Sequence, residues 1–127
     1  MHIKFAKIGT IPYCFLYNDE AQIGKCIVEK LNNETIRLKY ISIYSSYRGK
    51  NYSTVFWNLL EKDFQDQKIK YVIMDAHELN TKYNKLLNLY TSWGFKINGN
   101  IKYVNNGDEL ERVIPMVKEF KYVESSY

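Results

Sequence analysis

Residues 35–60 change their hydrophobic period from that of a strand to that of a helix within about a dozen positions, which commits the chain to strand, tight loop and helix in succession. Ile36, Leu38 and Tyr40 alternate as in a strand, whereas Ile41 and Ile43 are apolar in the opposite phase, so a β-bulge is expected near Tyr40 and Ile41. From Ser53 onward Val55, Phe56, Leu59 and Leu60 recur at helical spacing, with Phe64 a turn further on. The loop Arg48-Gly49-Lys50-Asn51-Tyr52-Ser53 therefore opens a helix. Free amides at a helix start, a glycine for tight turning and two cations form a cradle for phosphate or pyrophosphate. The bland reading of the same residues is a solvated basic turn. A Walker A loop is excluded, because Asn51 follows Lys50 and no Gly-x-x-x-x precedes Gly49.

The flanking pattern extends this unit into a sheet. Upstream, residues 3–8, 13–17 and 23–31 read as three strands joined by short turns. Downstream, the helix ends near Gln65-Asp66-Gln67, and residues 69–74 are apolar enough for a buried central strand, parallel to the first by a crossover. Asp75-Ala76-His77-Glu78 is expected at that strand's carboxyl end, with Asn80 or Thr81 capping the next helix. Leu86, Leu87, Leu89, Tyr90 and Trp93 give that helix an apolar face, and Gly94 stops it. Residues 97–104 and 112–120 form a closing hairpin around Asn105-Asn106-Gly107-Asp108; Pro115 belongs beside a bulge or an edge, and residues 124–127 are a frayed tail.

The loop is similar to motif A of the GNAT superfamily, the acetyl-CoA-dependent N-acetyltransferases: Arg or Gln, two residues, Gly, any residue, then Gly or Ala. Arg48 fits, while Asn51 and Ser53 occupy the two small positions. A second signature of the same family, Leu-Tyr, three residues, Gly-Phe, is matched at Leu89, Tyr90, Gly94 and Phe95. Met116, Lys118 and Phe120 resemble the family's closing strand, so the likeness runs from about residue 22 to 120. It implies an α/β (α+β) GNAT-like fold, with a mixed central sheet of about six or seven strands, a parallel central pair splayed to hold CoA, and two main helices. The two helices that the family inserts between its first strands have no room here, since each needs roughly ten residues.

The resemblance also implies a chemistry: transfer of the acetyl group of acetyl-CoA to a primary amine by direct attack in a ternary complex. Backbone amides from Arg48, Gly49, Lys50, Asn51, Tyr52, Ser53 and Thr54 would hold the pyrophosphate, with Asn84 and Tyr90 also against the cofactor. Pantetheine would pair with Ile41 and Ile43, the Ile41 amide would polarise the thioester carbonyl, and Tyr90 would protonate the departing thiolate. Arg37 stands where family members with a strand glutamate carry their base. Glu34, His77 and Glu78 are nearby, each read first as a surface or capping residue. Tyr83 and Leu86 replace the family's usual Asn and small Ala. At pH 7 an α-amine of pKa about 8 is roughly 10% neutral and a lysine only ~0.04%, so a site short of a base favours an α-amine. The acceptor is thus expected to be a protein or peptide end or a small molecule, on an open face or one completed by a second copy in a homodimer. The alternative is an inactive relative that binds CoA or a protein partner.

Composition narrows the rest. A chain of 127 residues with 46% hydrophobic and 25% charged residues is expected to form one domain over 1–127. No apolar run is long enough to span a bilayer and the first residues lack a signal-peptide core, so a cytoplasmic protein without membrane contact is expected. Cys14 and Cys26 then stay reduced, and with His2 and His77 they lack the close spacing of a metal site, so no metal is expected. The net charge of +4 suits a polyanionic cofactor as well as nucleic acid, but no nucleic-acid module is matched and that reading ranks last.

Overall fold

Short connections dictate the first half of the chain. Gly9 (φ 63°) and Thr10 turn β1 (His2–Ile8) directly into β2 (Ile11–Asn18), and Asp19 (φ 54°) with Glu20 turns β2 into β3 (Ala21–Lys30). Asn32-Asn33-Glu34 lead into β4 (Thr35–Ile43), and a 3-10 turn at Ser45–Tyr47 precedes α1 (Tyr52–Asp66). Then follow β5 (Tyr71–Leu79), α2 (Lys85–Ser92), β6 (Lys96–Ile97), β7 (Lys102–Asn106) and β8 (Glu109–Glu119). The computed structural model describes residues 1–123; the tail at 124–127 lies outside them.

All eight strands join one open mixed sheet in the order β1-β2-β3-β4-β5-β8-β6, with β7 also on β8. Only β4 and β5 run parallel. The sheet has one strand more than the six or seven expected, because the strand foreseen over 97–104 breaks in two. Pro115 has no amide hydrogen for that edge of β8, where its carbonyl accepts from the Asn98 amide (2.7 Å), and Gly99 (φ 123°) carries the chain away until Lys102.

Two other boundaries differ from expectation. Strand β5 runs to Leu79, so Asp75, His77 and Glu78 lie within it and not beyond its end. The expected cap at Asn80 or Thr81 starts only a 3-10 turn (Asn80–Lys82); α2 begins at Lys85 behind Asn84, whose φ is 74°. Gly94 (φ 96°) ends α2 as expected.

Both helices cover the same face of the sheet. Cys14, Leu16, Cys26, Leu38, Val72, Met74, Ala76, Ile114 and Met116 point to that face and are buried. From the helices Phe56, Trp57, Leu60, Phe64 and Tyr90 meet them, and Trp57 stacks on Trp93 (ring centroids 5.7 Å apart), tying α1 to the end of α2. Cys14 and Cys26 are directly paired across β2 and β3 as free thiols, and that contact together with burial pushes the Cys26 thiol up. Among the described residues no element covers the opposite face, where Arg37, Asp75 and His77 are exposed and Tyr13, Phe15, Ile27 and Ile73 are half-buried.

The bulge lies where the phase change places it. Ile27 pairs with Lys39 and Lys25 with Ser42, so Cys26 alone faces Tyr40 and Ile41, and Tyr40 takes φ 55°. Next to it Gly24 opposes Ile43; a Cβ there would stand 2.8 Å from the Ser42 carbonyl oxygen and 2.8 Å from Ile43 Cδ1. A backbone carbonyl in a ladder yields poorly. Gly24→Ala is therefore expected to destabilise the fold by about 2 kcal/mol in urea unfolding, the scale of an overpacked core.

Candidate functional site

The parallel ladder between β4 and β5 consists of Thr35 with Tyr71, Ile36 with Val72 and Arg37 with Ile73. Past Arg37 the strands part: β4 stays on β3, β5 stays on β8, and a gap opens between them. The edge of β4 from Leu38 to Ile43 that faces β5 carries no ladder partner, and such backbone groups demand hydrogen-bonding partners. Ile41 and Ile43 stand on this edge, with the bulge turning the chain beside them.

The gap leads to the start of α1. Asn51 occupies the N-cap position at φ 61°, ψ 21°, makes no side-chain cap, and no acidic residue stands in the first turn. The amides of Tyr52, Ser53 and Thr54 precede the first intrahelical bond, made by the Val55 amide to the Asn51 carbonyl (3.2 Å). Gly49 (φ 82°) provides the turn, and a Cβ added there would meet nothing within 4 Å. Arg48 donates from Nε to the Ile43 carbonyl (2.9 Å), which folds the loop back on β4. The loop is open, cationic and lined with free donors.

Tyr90 belongs to the same face as this loop. Its ring lies 5.3 Å from that of Trp93, and the Trp93 indole donates to the Thr54 hydroxyl in the first turn of α1 (3.1 Å). Burial, and secondarily the negative charge of Glu78, push the Tyr90 phenol from 10.0 up to about 12.

Glu78, expected as a surface or capping residue, is a cap, and its burial is what sequence reasoning missed. It is only 2% exposed, yet its Oε2 accepts from the amides of Leu86 (2.9 Å) and Leu87 (3.1 Å), capping α2 from the neighbouring strand. Its Oε1 accepts from Arg112 Nε (2.9 Å) and Nη2 (2.6 Å). Burial raises its carboxyl, but the Leu87 amide and Arg112 outweigh that and hold it below the usual 4.5. The available signal was its phase on β5, shared with Val72, Met74 and Ala76.

The remaining expected residues divide. Asn84 gives its Oδ1 to Arg112 (2.9 Å) and Tyr83 lies under the same guanidinium (4.2 Å), so both brace β8 and the Asn84 oxygen is already engaged. Glu34 precedes β4, away from the gap, with its carbonyl accepting from Lys70 and Tyr71 and its carboxylate 3.2 Å from Lys70. Arg37 turns to Glu29 (3.6 Å) on the bare face. On that face a cavity of about 520 Å³ opens over the gap, lined by Arg37, Lys39, Tyr40, Asp75 and His77 among others. None of residues 48–54 nor Tyr90 lines it. The loop and the cavity thus address the gap from opposite faces of the sheet.

No family model and no curated protein matches the sequence. Solved structures do match. A GNAT family acetyltransferase from Elizabethkingia anophelis with acetyl-CoA bound superposes with a TM-score of 0.70 at 16% identity, over 87% of this chain and 76% of that one. The ribosomal-protein-S18-alanine N-acetyltransferase from Escherichia coli gives 0.75 at 14% identity, over 91% and 72%. An aminoglycoside 6'-N-acetyltransferase complexed with coenzyme A gives 0.69 at 16%, over 90% and 75%. The chain has the GNAT fold. Among the described residues no helix is long and apolar enough to cross a membrane.

The Glu78 cluster makes a stability prediction. Because its folded pKa lies below the unfolded one, its contribution is complete above about pH 4.5 and is lost as pH falls through the lower folded value. Glu78→Gln leaves the largely covered Arg112 without its charge partner and is expected to cost about 3 kcal/mol at pH 7. Chemical unfolding from pH 7 to 3 should then show a shallower acid loss in the variant than in the parent.

Proposed function

We propose that this GNAT-fold chain, as one domain over residues 1–127, is an N-acetyltransferase that moves the acetyl group of acetyl-CoA to a primary amine by direct attack. The observation that carries the reading is the unpaired β4 edge running from the bulge straight to an uncapped helix start. An extended amide-bearing arm fits the first and a pyrophosphate fits the second. Two of the structural neighbours are described with acetyl-CoA or coenzyme A bound, which supports the same ligand here.

In this reading the amides of Tyr52, Ser53 and Thr54 bind pyrophosphate, with Gly49 and Asn51 shaping the turn and Arg48 and Lys50 supplying charge. Ile41 and Ile43 offer main-chain groups to the pantetheine arm, and the Ile41 amide donates to the thioester carbonyl. A positioned donor of this kind is worth about 3 kcal/mol when charge develops on the oxygen. Tyr90 donates a hydrogen bond to the leaving sulfur. With its phenol at about 12 and a thiol near 8.5, full proton transfer runs about three powers of ten uphill, so its contribution is the hydrogen bond, and solvent restores the thiol. The acceptor reaches the gap from the bare face, which admits a peptide end as readily as a small amine.

Acetyl-CoA at ~100 times its dissociation constant is expected to stabilise the chain by about 2.7 kcal/mol in a thermal-shift titration. The double variant Arg48→Ala, Lys50→Ala should weaken that binding about tenfold, most at low salt. No stabilisation at millimolar acetyl-CoA refutes the cofactor assignment. Tyr90→Phe should keep the acetyl-CoA affinity and lower thiol release at least tenfold, and the parent should show no basic limb from the phenol below about pH 11. An unchanged rate in Tyr90→Phe removes the phenol from the chemistry.

A further inference from the structure

The acetyl-transfer reading lacks a group to receive the acceptor's proton, and the bare face holds one. We propose that His77 is the proton acceptor for the incoming amine and that Glu111 positions it; this rests on the transferase reading above.

Topology places the imidazole. Arg37 and Ile73 are the last partners of the parallel ladder, and beyond them β5 carries His77 on one lip of the gap while β4, with the extra residue of its bulge, carries Ile41 and Ser42 on the other. His77 points to the bare face and lines the cavity that opens there, while Tyr90 packs on the helix face, with Glu78, the residue after His77, acting on it. Proton donor and proton acceptor thus flank the gap from opposite sides.

The ring is oriented for the task. His77 Nδ1 lies 2.9 Å from Glu111 Oε1, and a carboxylate only accepts, so Nδ1 carries the proton and the neutral ring keeps its lone pair on Nε2. The His77 side chain is 51% exposed and that of Glu111 22%, so the base is reachable and its anchor is partly sheltered. Charges near it on this face are Asp75 on the same strand, Arg37 and Lys39 across the gap with Glu29 between them, and Lys102 on β7, opposite the Val113 that pairs with His77; Lys96 and Glu119 lie further along, by Ile73.

The step balances without a further reactant. An acceptor arriving as ammonium gives one proton to His77 Nε2, which passes it to water. The freed lone pair forms the C–N bond, the C–S bond breaks with its electron pair on sulfur, and the second proton lost from nitrogen is matched by the one that converts thiolate to thiol. An acceptor need not then be neutral when it binds.

Thiol release is followed with acetyl-CoA and three amines: trialanine, spermidine and an N-acetylated peptide with one lysine. With whichever is turned over, His77→Gln should lower kcat/KM about 100-fold, leave the acetyl-CoA thermal shift unchanged, and abolish the acid limb of the rate profile. Glu111→Gln should retain more activity and displace that limb. Independently of turnover, the ¹⁵N shifts of the neutral His77 ring should report a proton on Nδ1 in the parent and a mixture in Glu111→Gln. A His77→Gln variant within twofold of the parent and with the same pH profile overturns the assignment while leaving the transferase intact, as does a parent ring protonated on Nε2. A parent that binds acetyl-CoA and acetylates none of the three amines overturns both readings.

Discussion

Three residue pairs hold the two central strands together, and everything of chemical interest follows from the ladder stopping there. Beyond Arg37 the bulge at Tyr40 and Ile41 bends β4 on β3, and β5 follows β8 instead. A parallel pair that parts in this way leaves main-chain donors and acceptors exposed in the middle of a sheet, a place where they are normally paired. The chain leaving β4 then meets the free amides of α1 within a few residues. One short connection, tied back by Arg48 on the Ile43 carbonyl, therefore joins the open edge at the centre of the sheet to a cationic loop with free amides.

The other organising group is the Glu78 carboxylate. A charge buried to this degree costs several kcal/mol in desolvation, and only a full set of partners offsets it. Here two helix amides and a two-pronged guanidinium supply that set, and in doing so they lock α2, β5 and β8 in one arrangement. The same charge raises the proton affinity of the Tyr90 phenol. One side chain thus anchors the helix that carries the phenol and adds to the larger effect of burial on its proton affinity.

How much was legible in the sequence depended on how local the cause was. The bulge was readable because a phase slip is written in five apolar residues between Ile36 and Ile43, and α1 because its apolar spacing starts and stops cleanly. Gly94 announced the end of α2 for the same reason. The length of β5 was hidden by Asp75, His77 and Glu78, which look like a polar exit but alternate between faces, one of them buried by an arginine 34 residues away. Asn84 as the true start of α2 was equally hidden, since its positive φ and its bond to Arg112 are tertiary facts. Motif resemblance pointed to the loop and to Tyr90, which Trp93 links to the first turn of α1, whereas the extent of strand separation and the cavity on the other face required coordinates.

Because both helices lie on one side, the residues of β5, and those of β4 up to its bulge, alternate between the packed layer and the open face. Substitutions on the open face away from the gap will be tolerated at every second position while the layer beneath stays put. Two chains built this way can differ at most positions and still draw the same shape.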